Sequence, residues 1–283
     1  MLNPAEVQAM IPSLTGTALL DVGGQKVVYR GKHAVYEDVV IKFFLDTSSD
    51  ERIRREIEVS TTYNIPNVPK LYEWRQISDH NGKEVIYLIE EFIAGETLAK
   101  LLHRDGSLSL PQGLLLLETL LTTVVSLEEN ALVHRDIKPL NIIVKTDGQF
   151  CLLDFGIARH LRKSSITRTQ APFGPHSVGY SAPEQFRNIK REVDSRADLF
   201  SIGVVTYEAL TGVNPFDDGK CGALEVLRRT ETITPQLVTI PGDTQRQLIG
   251  LLDIMMRKFP SQRPPNAKTA LDWFRALLPT LNY

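Results

Sequence analysis

Two short polar segments near the middle of the 283-residue chain constrain its fold and chemistry more than any other feature. The first reads His134-Arg135-Asp136-Ile137-Lys138-Pro139-Leu140-Asn141, and the second, two short strands later, reads Asp154-Phe155-Gly156. Asp136 can accept the proton of an attacking hydroxyl, and Asn141 and Asp154 offer the hard oxygen ligands that Mg²⁺ requires. Since phosphoryl transfer depends on positioning and charge stabilisation, this spacing indicates a nucleotide-dependent phosphoryl-transfer site.

Both segments resemble loops of the eukaryotic-type protein kinases, the first their catalytic loop and the second their metal-binding loop. Val40-Ile41-Lys42 resembles the end of the third strand, whose lysine holds the α- and β-phosphates. Arg54-Arg55-Glu56-Ile57 resembles the helix that supplies the glutamate partner of that lysine. Further matches follow in family order, so that the resemblance covers roughly residues 20–275. They are Ser181-Ala182-Pro183-Glu184 at the end of the activation segment, residues 198–203 at the start of a central helix, and Arg263, the expected partner of Glu184.

The resemblance implies ATP and Mg²⁺ as cofactors, with Mn²⁺ as an alternative metal. Asp136 and Lys138 are expected to be catalytic, the first as proton acceptor and the second as the cation beside the γ-phosphate. Asn141 and Asp154 are expected to bind the metal ion as well as the cofactor. In having a lysine two residues after this aspartate, the chain resembles the serine/threonine-specific members of the family rather than the tyrosine-specific ones. The other residues expected to bind the cofactor are Lys42, Glu56, Gly23, Gly24, Glu91 and Ile93.

The residues between 159 and 177 are rich in hydroxyl and basic side chains. In this family, an arginine at the position of Arg135 often grips a phosphorylated residue of the activation segment. A phosphate on that segment would add about −1.5 to −2 charge and pair with Arg135. We therefore expect autophosphorylation there, and the alternative is a hydrophilic loop with incidental charges. The candidate acceptors are Ser164, Ser165, Thr167, Thr169 and Ser177.

Two positions depart from the family pattern. With the glycine-rich loop aligned on Val28-Tyr29, Gly23 takes the second glycine position, but Asp21 and Lys26 take the first and third. Because a backbone approaches phosphates most closely where there is no Cβ, this loop is expected to bind ATP more weakly. Glu90 falls at the back of the adenine pocket, where the family usually has an apolar residue or threonine. A buried carboxylate needs a partner, so either Glu90 is paired or the alignment is displaced by one residue.

The order of the predicted elements gives the fold class. One or two helical turns are expected around residues 5–10. Strand patterns follow up to about residue 91, as an antiparallel meander over 19–44 and two strands near 70–76 and 85–91, with a helix over 50–63 between them. Helices dominate afterwards. This segregation predicts an α+β fold rather than a parallel α/β sheet. The resemblance implies a bilobal, protein-kinase-like fold, with a small antiparallel N-lobe that carries one key helix and a larger, mainly helical C-lobe. The chain is expected to be a single kinase domain over 1–283, with the N-lobe at about 15–92, the hinge at 93–96 and the C-lobe at about 97–283.

Composition excludes several other classes of protein. A net charge of −2 gives no reason to expect a nucleic acid or an anionic membrane surface as a partner. The most apolar stretch, over 114–127, contains polar residues and is too short to cross about 30 Å of hydrocarbon. No signal peptide is visible, and Cys151 and Cys221 are expected to be reduced thiols, so a cytoplasmic location is predicted. The sequence leaves little room for a sensor domain, and a regulatory partner stays an open expectation.

The leading interpretation is a serine/threonine protein kinase that transfers the γ-phosphoryl group of Mg·ATP to a protein hydroxyl. One alternative is a pseudokinase, an ATP-binding scaffold with little turnover, which the atypical glycine loop favours. The presence of Lys42, Glu56, Asp136, Asn141 and Asp154 argues against it. A second alternative is a small-molecule kinase of related fold. Such enzymes usually lack the activation-segment terminus that residues 181–184 and Arg263 indicate.

Overall fold

The fold is described from a computed structural model of the chain. It describes residues 2–22, 26–44, 50–78, 84–154, 159–160, 178–187 and 193–282, and of residues 50–52, 55, 56, 159 and 160 it describes the backbone only. The chain divides into two compact units. The first comprises Met1–Asn64 and Pro69–Ala94, and the second comprises Ile65–Val68 and Gly95–Tyr283.

The first unit contains a five-stranded antiparallel sheet, with one helix before the first strand and another between the third and fourth strands. The order of strands across the sheet is β1-β2-β3-β5-β4. Each strand pairs with its neighbours in antiparallel fashion, as the sequence predicts for this half of the chain. The elements in chain order are α1 Pro4–Met10, β1 Leu14–Val22, β2 Lys26–His33, β3 Glu37–Phe44, α2 Asp50–Thr62, β4 Leu71–Ser78 and β5 Glu84–Glu91.

The N-terminal segment covers one face of this sheet. Asn3 and Glu6 form a capping box at the start of α1, with Glu6 N–H donating to Asn3 Oδ1 over 3.0 Å and Asn3 N–H donating to Glu6 Oε2 over 2.7 Å. The Tyr29 hydroxyl donates to the carbonyl of Leu2. The segment therefore completes the core of the unit. The buried residues of this face are Leu2, Val7, Ile11, Leu14, Val27, Tyr29, Val39, Ile41, Phe43, Val85, Tyr87 and Ile89.

The opposite face of the sheet packs against helix α2. Ile53 and Ile57, one helical turn apart, are buried on Phe44, Ile86 and Leu88. Because side chains alternate along a strand, the residues two positions before Phe44 and two after Leu88 point to this same face. Those residues are Lys42 and Glu90, and both are buried. The fold thus places a lysine and a carboxylate on the face of the sheet that α2 covers.

The second unit is mainly helical. Its strands are β6 Gly95–Thr97, β7 Leu132–Val133, β8 Ile142–Lys145, β9 Phe150–Leu152 and β10 Arg159–His160, which form a three-stranded sheet in the order β6-β8-β9 and a pair β10-β7. Among the described residues of this unit, 3₁₀ turns lie at Pro139–Asn141, Pro260–Gln262 and Leu278–Thr280. The helices are α3 Leu98–Asp105, α4 Leu110–Glu129, α5 Pro183–Phe186, α6 Ser195–Thr211, α7 Ala223–Thr232, α8 Gln247–Met255 and α9 Ala267–Leu277.

Helix α6 is the central helix of this unit. It begins three residues before the predicted Asp198, because Asp194 caps it by accepting the N–H of Arg196 over 3.0 Å. It ends at Gly212, whose φ of 76° lies in the left-handed region and whose N–H donates to Glu208 O over 2.7 Å. Nearly every residue from Ser195 to Ala209 is buried. A helix that is buried on all sides shows no apolar stripe, so its neighbours could not be read from periodicity.

Helix α4 extends beyond both ends of the apolar stretch 114–127, so that its 20 residues, contrary to the expectation from the sequence, are long and apolar enough to cross a membrane by length and composition. Its apolar side chains are instead accounted for by the core of the second unit. Leu116, Leu117, Leu120, Leu121, Val124 and Leu127 are each 0% exposed. The two cysteines, Cys151 and Cys221, are not joined in a disulfide, as the sequence predicts.

Candidate active site

Lys42 and Glu90 form a buried ion pair in the first unit. The Nζ of Lys42 lies 2.9 Å from Oε1 and 2.8 Å from Oε2 of Glu90. Both residues are 7% exposed. Of the two outcomes that the sequence left open for Glu90, pairing is therefore the one observed. The partner is Lys42 itself, the residue expected to hold the phosphates.

The register of the sheet brings these two side chains together. Val40 lies directly opposite Glu90, and Lys42 lies directly opposite Leu88 and Val28. Lys42 and Glu90 are therefore diagonal neighbours on one face, within reach of a long side chain. Val28 and Val40 are only half buried, so an apolar strip flanks the ammonium group. Such a strip suits the flat, apolar face of a nucleotide base.

Asp136, Lys138 and Asn141 form a hydrogen-bonded cluster in the second unit. Lys138 Nζ donates to both carboxylate oxygens of Asp136, over 3.0 Å and 2.8 Å. The amide nitrogen of Asn141 donates to Oδ2 and to the backbone carbonyl of Asp136, each over 2.9 Å. The Asp136 and Lys138 side chains are 12% and 13% exposed. The carboxylate is therefore held in one orientation but stays open to solvent on one side.

Asp198 of helix α6 holds the loop that carries Asp136 through two hydrogen bonds. The two carboxylate oxygens of Asp198 accept the N–H groups of His134 over 2.8 Å and of Arg135 over 2.7 Å. Burial raises the pKa of Asp198 to about 7, and the two N–H donors work against that rise. These bonds matter because Arg135 has a φ of 72°, a left-handed conformation that costs a residue with a side chain about 1–3 kcal/mol.

His134 is enclosed in this loop. Burial lowers the pKa of its imidazole, so the ring is neutral at physiological pH. One ring nitrogen, Nε2, lies 3.2 Å from the carbonyl oxygen of Leu153, and the other accepts the N–H of Asp136 over 3.3 Å. A ring that is enclosed and bonded on both sides is placed to support the loop rather than to exchange protons.

Asp154 follows strand β9 and is tied to the same loop through its neighbour. The N–H of Leu153 donates to the carbonyl of Asn141 over 2.7 Å, which places the two expected metal ligands on adjoining backbone segments. Asp154 has a φ of 65°, so the chain turns sharply at this residue. The amide hydrogens of Asn141 are directed at Asp136, and its remaining polar atom is an oxygen, as a metal site requires. The donor set therefore fits a hard divalent cation.

The end of the activation segment is fixed by a second buried ion pair, as the sequence predicts. Arg263 binds both oxygens of Glu184, over 2.6 Å and 2.9 Å, and the two side chains are 0% and 2% exposed. Arg263 also donates to the carbonyls of Arg257 over 2.7 Å and Arg196 over 2.8 Å. A planar guanidinium with five donors can satisfy all these acceptors at once.

Gln185, next to this pair, reaches the catalytic loop, and sequence reasoning missed it. Its Nε2 donates to the carbonyl of Arg135 over 3.0 Å, while its Oε1 accepts the N–H of Ala182 over 3.1 Å. That carbonyl belongs to the peptide bond immediately before Asp136. The only signal in the sequence was the position of Gln185 directly after Glu184, which says nothing about its direction.

The remaining predicted residues stand as follows. Glu91 ends β5, and its carboxylate accepts the N–H of Lys70 over 3.2 Å. Ile93 is half buried beyond the strand. Lys42, Glu91 and Ile93 belong to the first unit, whereas Asp136, Lys138, Asn141 and Asp154 belong to the second. Gly23 and Gly24, the side chain of Glu56, Phe155 and Gly156, and the five candidate acceptors of phosphate all lie outside the described residues.

The chain belongs to the protein kinase domain family, which it matches over residues 18–274. Members of this family use ATP and a divalent metal ion. The chain is 31% identical over 250 residues to the serine/threonine-protein kinase PknA of Corynebacterium glutamicum, covering 86% of this chain and 52% of that protein. It is also 31% identical over 219 residues to the serine/threonine-protein kinase PrkC of Bacillus subtilis, covering 75% of this chain and 32% of that protein.

A third relative is the serine/threonine-protein kinase drp72 of Corynebacterium efficiens, 30% identical over 258 residues, which cover 89% of this chain and 48% of that protein. The chain therefore spans about half the length of two of these relatives and a third of the other. The expected fold class, an antiparallel N-terminal sheet followed by a helical part, agrees with the family and with the strand order.

Proposed function

We propose that this protein is a serine/threonine protein kinase that transfers the γ-phosphoryl group of Mg·ATP to a hydroxyl of a protein. The observation that carries the proposal is the cluster of Asp136, Lys138 and Asn141, in which a carboxylate is aimed by a cation and an amide. Relatives at about 30% identity over most of the chain bear the name serine/threonine-protein kinase.

In this proposal, Asp136 accepts the proton of the substrate hydroxyl as its oxygen forms a bond to the γ-phosphorus. The bond between that phosphorus and the β,γ-bridging oxygen breaks, and ADP leaves. Lys138, 2.8 Å from Asp136, is close enough to place its positive charge beside the transferred group. Asn141 and Asp154 would hold the metal ion, which neutralises charge on the phosphates when bound. Lys42 would hold the α- and β-phosphates as a compact cation.

A peptide substrate is favoured over a small molecule by the ion pair of Arg263 with Glu184. This pair fixes the residues from Ala182 to Gln185, and Gln185 connects them to the loop of Asp136. A segment anchored in this way can present a firm surface to an extended chain beside the proton acceptor. Enzymes that phosphorylate small molecules have no need of such a surface.

The test is incubation of the purified protein with radiolabelled Mg·ATP, alone and with a general serine/threonine substrate, in comparison with Asp136→Asn. Loss of the general base should lower transfer by about 10²–10⁴-fold. Asp147→Asn is the matched control, because Asp147 lies in the exposed turn between β8 and β9. Equal labelling by the native protein and Asp136→Asn, or no labelling by either, would contradict the proposal.

Autophosphorylation between residues 164 and 177 is a further part of the proposal. Arg135, directly before the base, would bind the phosphate and order the segment. Mass spectrometry of the native protein after incubation with Mg·ATP should find phosphate on Ser164, Ser165, Thr167, Thr169 or Ser177, and the same treatment of Asp136→Asn should not. An active protein without phosphate in this segment would remove this part and leave the kinase activity standing.

Further parts of the proposal concern the metal ion, the location and the partners of the protein. They are a preference for Mg²⁺ over Mn²⁺, a cytoplasmic location, the absence of nucleic-acid and membrane partners, and a regulatory partner. The oxygen ligands of Asn141 and Asp154 suit Mg²⁺ and Mn²⁺ alike, so they support a hard divalent ion and leave the choice between the two metals to experiment. Titration of activity with each metal would decide it. The net charge of −2 supports the expected absence of nucleic-acid partners.

A further inference from the structure

We propose that Glu90 is a positioning residue for Lys42: it fixes the ammonium group where it can receive the phosphates of ATP. The inference rests on the proposed function, because it concerns the lysine expected to hold those phosphates. It goes beyond that function by assigning the task to a carboxylate in the sheet. The expected partner of this lysine, Glu56, belongs instead to helix α2.

The first step is the geometry of the pair. Lys42 Nζ lies within 2.9 Å of both carboxylate oxygens of Glu90, so the ammonium group is centred on the carboxylate rather than attached to one edge. Charge-assisted hydrogen bonds of this length are about twice as strong as neutral ones. A lysine has three N–H donors, so a bond to Glu90 leaves others that can point to further acceptors.

The second step is burial. The side chains of Lys42 and Glu90 are each 9% exposed. A buried ammonium without a nearby anion loses its charge readily, because desolvation favours the neutral amine. A neutral amine would not attract phosphate. As an adjacent carboxylate, Glu90 favours the charged form of Lys42 as well as fixing its position.

The third step is the origin of the position. Val40 faces Glu90, and Lys42 faces Leu88, on two strands joined by a regular antiparallel ladder. The separation of the two side chains is set by that ladder, and so it does not depend on the placement of a helix or loop. A partner on the neighbouring strand thus gives the lysine a fixed anchor within the sheet.

The experiment compares Glu90→Leu and Glu90→Gln with the native protein in steady-state assays of phosphoryl transfer. Because the lysine holds phosphates in both ground and transition states, Glu90→Leu should raise the KM for Mg·ATP about tenfold and lower kcat by less than about threefold. Glu90→Gln keeps an acceptor oxygen and should raise the KM by about threefold. The KM for the protein substrate should not change. Glu84→Gln, at the exposed start of the same strand, is the matched control.

Folding is checked by a double-mutant cycle that needs no activity. Lys42→Met and Glu90→Leu should each lower the melting temperature, because each removes the ionic contact from a charge that stays buried, and the double variant should recover part of the loss. If the folded Glu90 variants show the native KM for Mg·ATP, or a lower one, the inference is wrong, since Glu90 then either has no effect on ATP binding or opposes it. If the native protein itself transfers no phosphate, the proposed function fails, while the stability cycle still reports on the pair.

Discussion

The two clusters of charged residues, Lys42 with Glu90 in the first unit and Asp136 with Lys138 and Asn141 in the second, are built by different means. The first lies on regular strands, and its geometry follows from ladder register. The second lies on a loop with a left-handed residue at Arg135, held by contacts from distant parts of the chain. A phosphate-binding cation can be placed by regular strands. A proton acceptor must be held in one orientation, which here requires a left-handed loop conformation that regular strands and helices do not provide.

The predictions test this difference. If the loop of Asp136 depends on contacts from distant parts of the chain, substitutions at Glu184, Asp198 and Gln185 should have large effects on the free energy of unfolding or on kcat. A substitution that weakens the support of the regular sheet should have a smaller effect.

The largest effect is expected for Glu184→Gln, which leaves Arg263 buried beside a neutral partner. Removing one partner of a buried pair typically lowers the free energy of unfolding by about 3–5 kcal/mol. Urea unfolding would measure it. Glu225→Gln is the control, because Glu225 binds Arg228 over 2.7 Å at the surface, where solvent screens the pair. Similar losses in the two variants would mean that burial does not distinguish them.

The second prediction concerns pH. The pKa of Asp198 is raised to about 7, so between about pH 4 and 7 the folded chain holds a proton that the unfolded chain has released. The contribution of Asp198 to the free energy of unfolding should therefore fall as pH rises through this window, by at most about 1.4 kcal/mol per pH unit.

His134 opposes this trend below about pH 6.5, because burial lowers its pKa below the usual value for histidine and the unfolded chain therefore takes up a proton there first. The effect of Asp198 must therefore be isolated as the difference between the native protein and Asp198→Asn, both unfolded by urea from pH 4 to 8. A difference that is flat with pH would contradict the prediction.

The third prediction separates the two contacts of Gln185. Gln185→Glu keeps the acceptor for Ala182 N–H but removes the donor to the Arg135 carbonyl, and Gln185→Met removes both. Loss of a hydrogen bond that orients the peptide before the base should lower kcat about tenfold in both variants, with the KM for Mg·ATP unchanged. Gln149→Glu, at an exposed position, is the control. A native kcat in Gln185→Glu would show that the Arg135 contact is not needed.

The smallest effect is expected for Asn3→Ala, which removes the cap of helix α1 on the first unit. Loss of an N-cap costs about 1 kcal/mol of the free energy of unfolding. The KM for Mg·ATP should stay at its native value, because the ladder between β3 and β5 is untouched. A raised KM would mean that the position of Lys42 depends on more than the register of its strands, and the comparison of the two clusters would then lose its basis.

Much of the fold was accessible from the sequence. The three-strand meander, helix α2 and the strand pair β4–β5 were predicted within a few residues, because period-two patterns and capping residues are local signals. The N-terminal segment was predicted to be helical at 5–10, but its role in the core was not. Val7 is fully buried, yet a single apolar residue in a seven-residue helix does not reveal what covers it.

The candidate site was accessible in part. Asp136, Lys138 and Asn141 were predicted from a motif, and their hydrogen bonds agree with that grouping. The pairing of Arg263 with Glu184 was predicted from the resemblance and is confirmed. Gln185 was missed, because its partners lie up to 50 residues away and no spacing rule connects them. Glu56 and the glycine loop stay predictions.

The elements, the family and the chemical types at the site can be read from the order of amino acids, because alternation of apolar residues and short motifs are properties of neighbours along the chain. The contact of Glu90 with Lys42, and that of Gln185 with the peptide before Asp136, were visible in the three-dimensional structure alone. Both join residues some 50 positions apart, Glu90 with Lys42 and Gln185 with Arg135. Such contacts arise from strand order and packing, which leave no local trace in the order of amino acids.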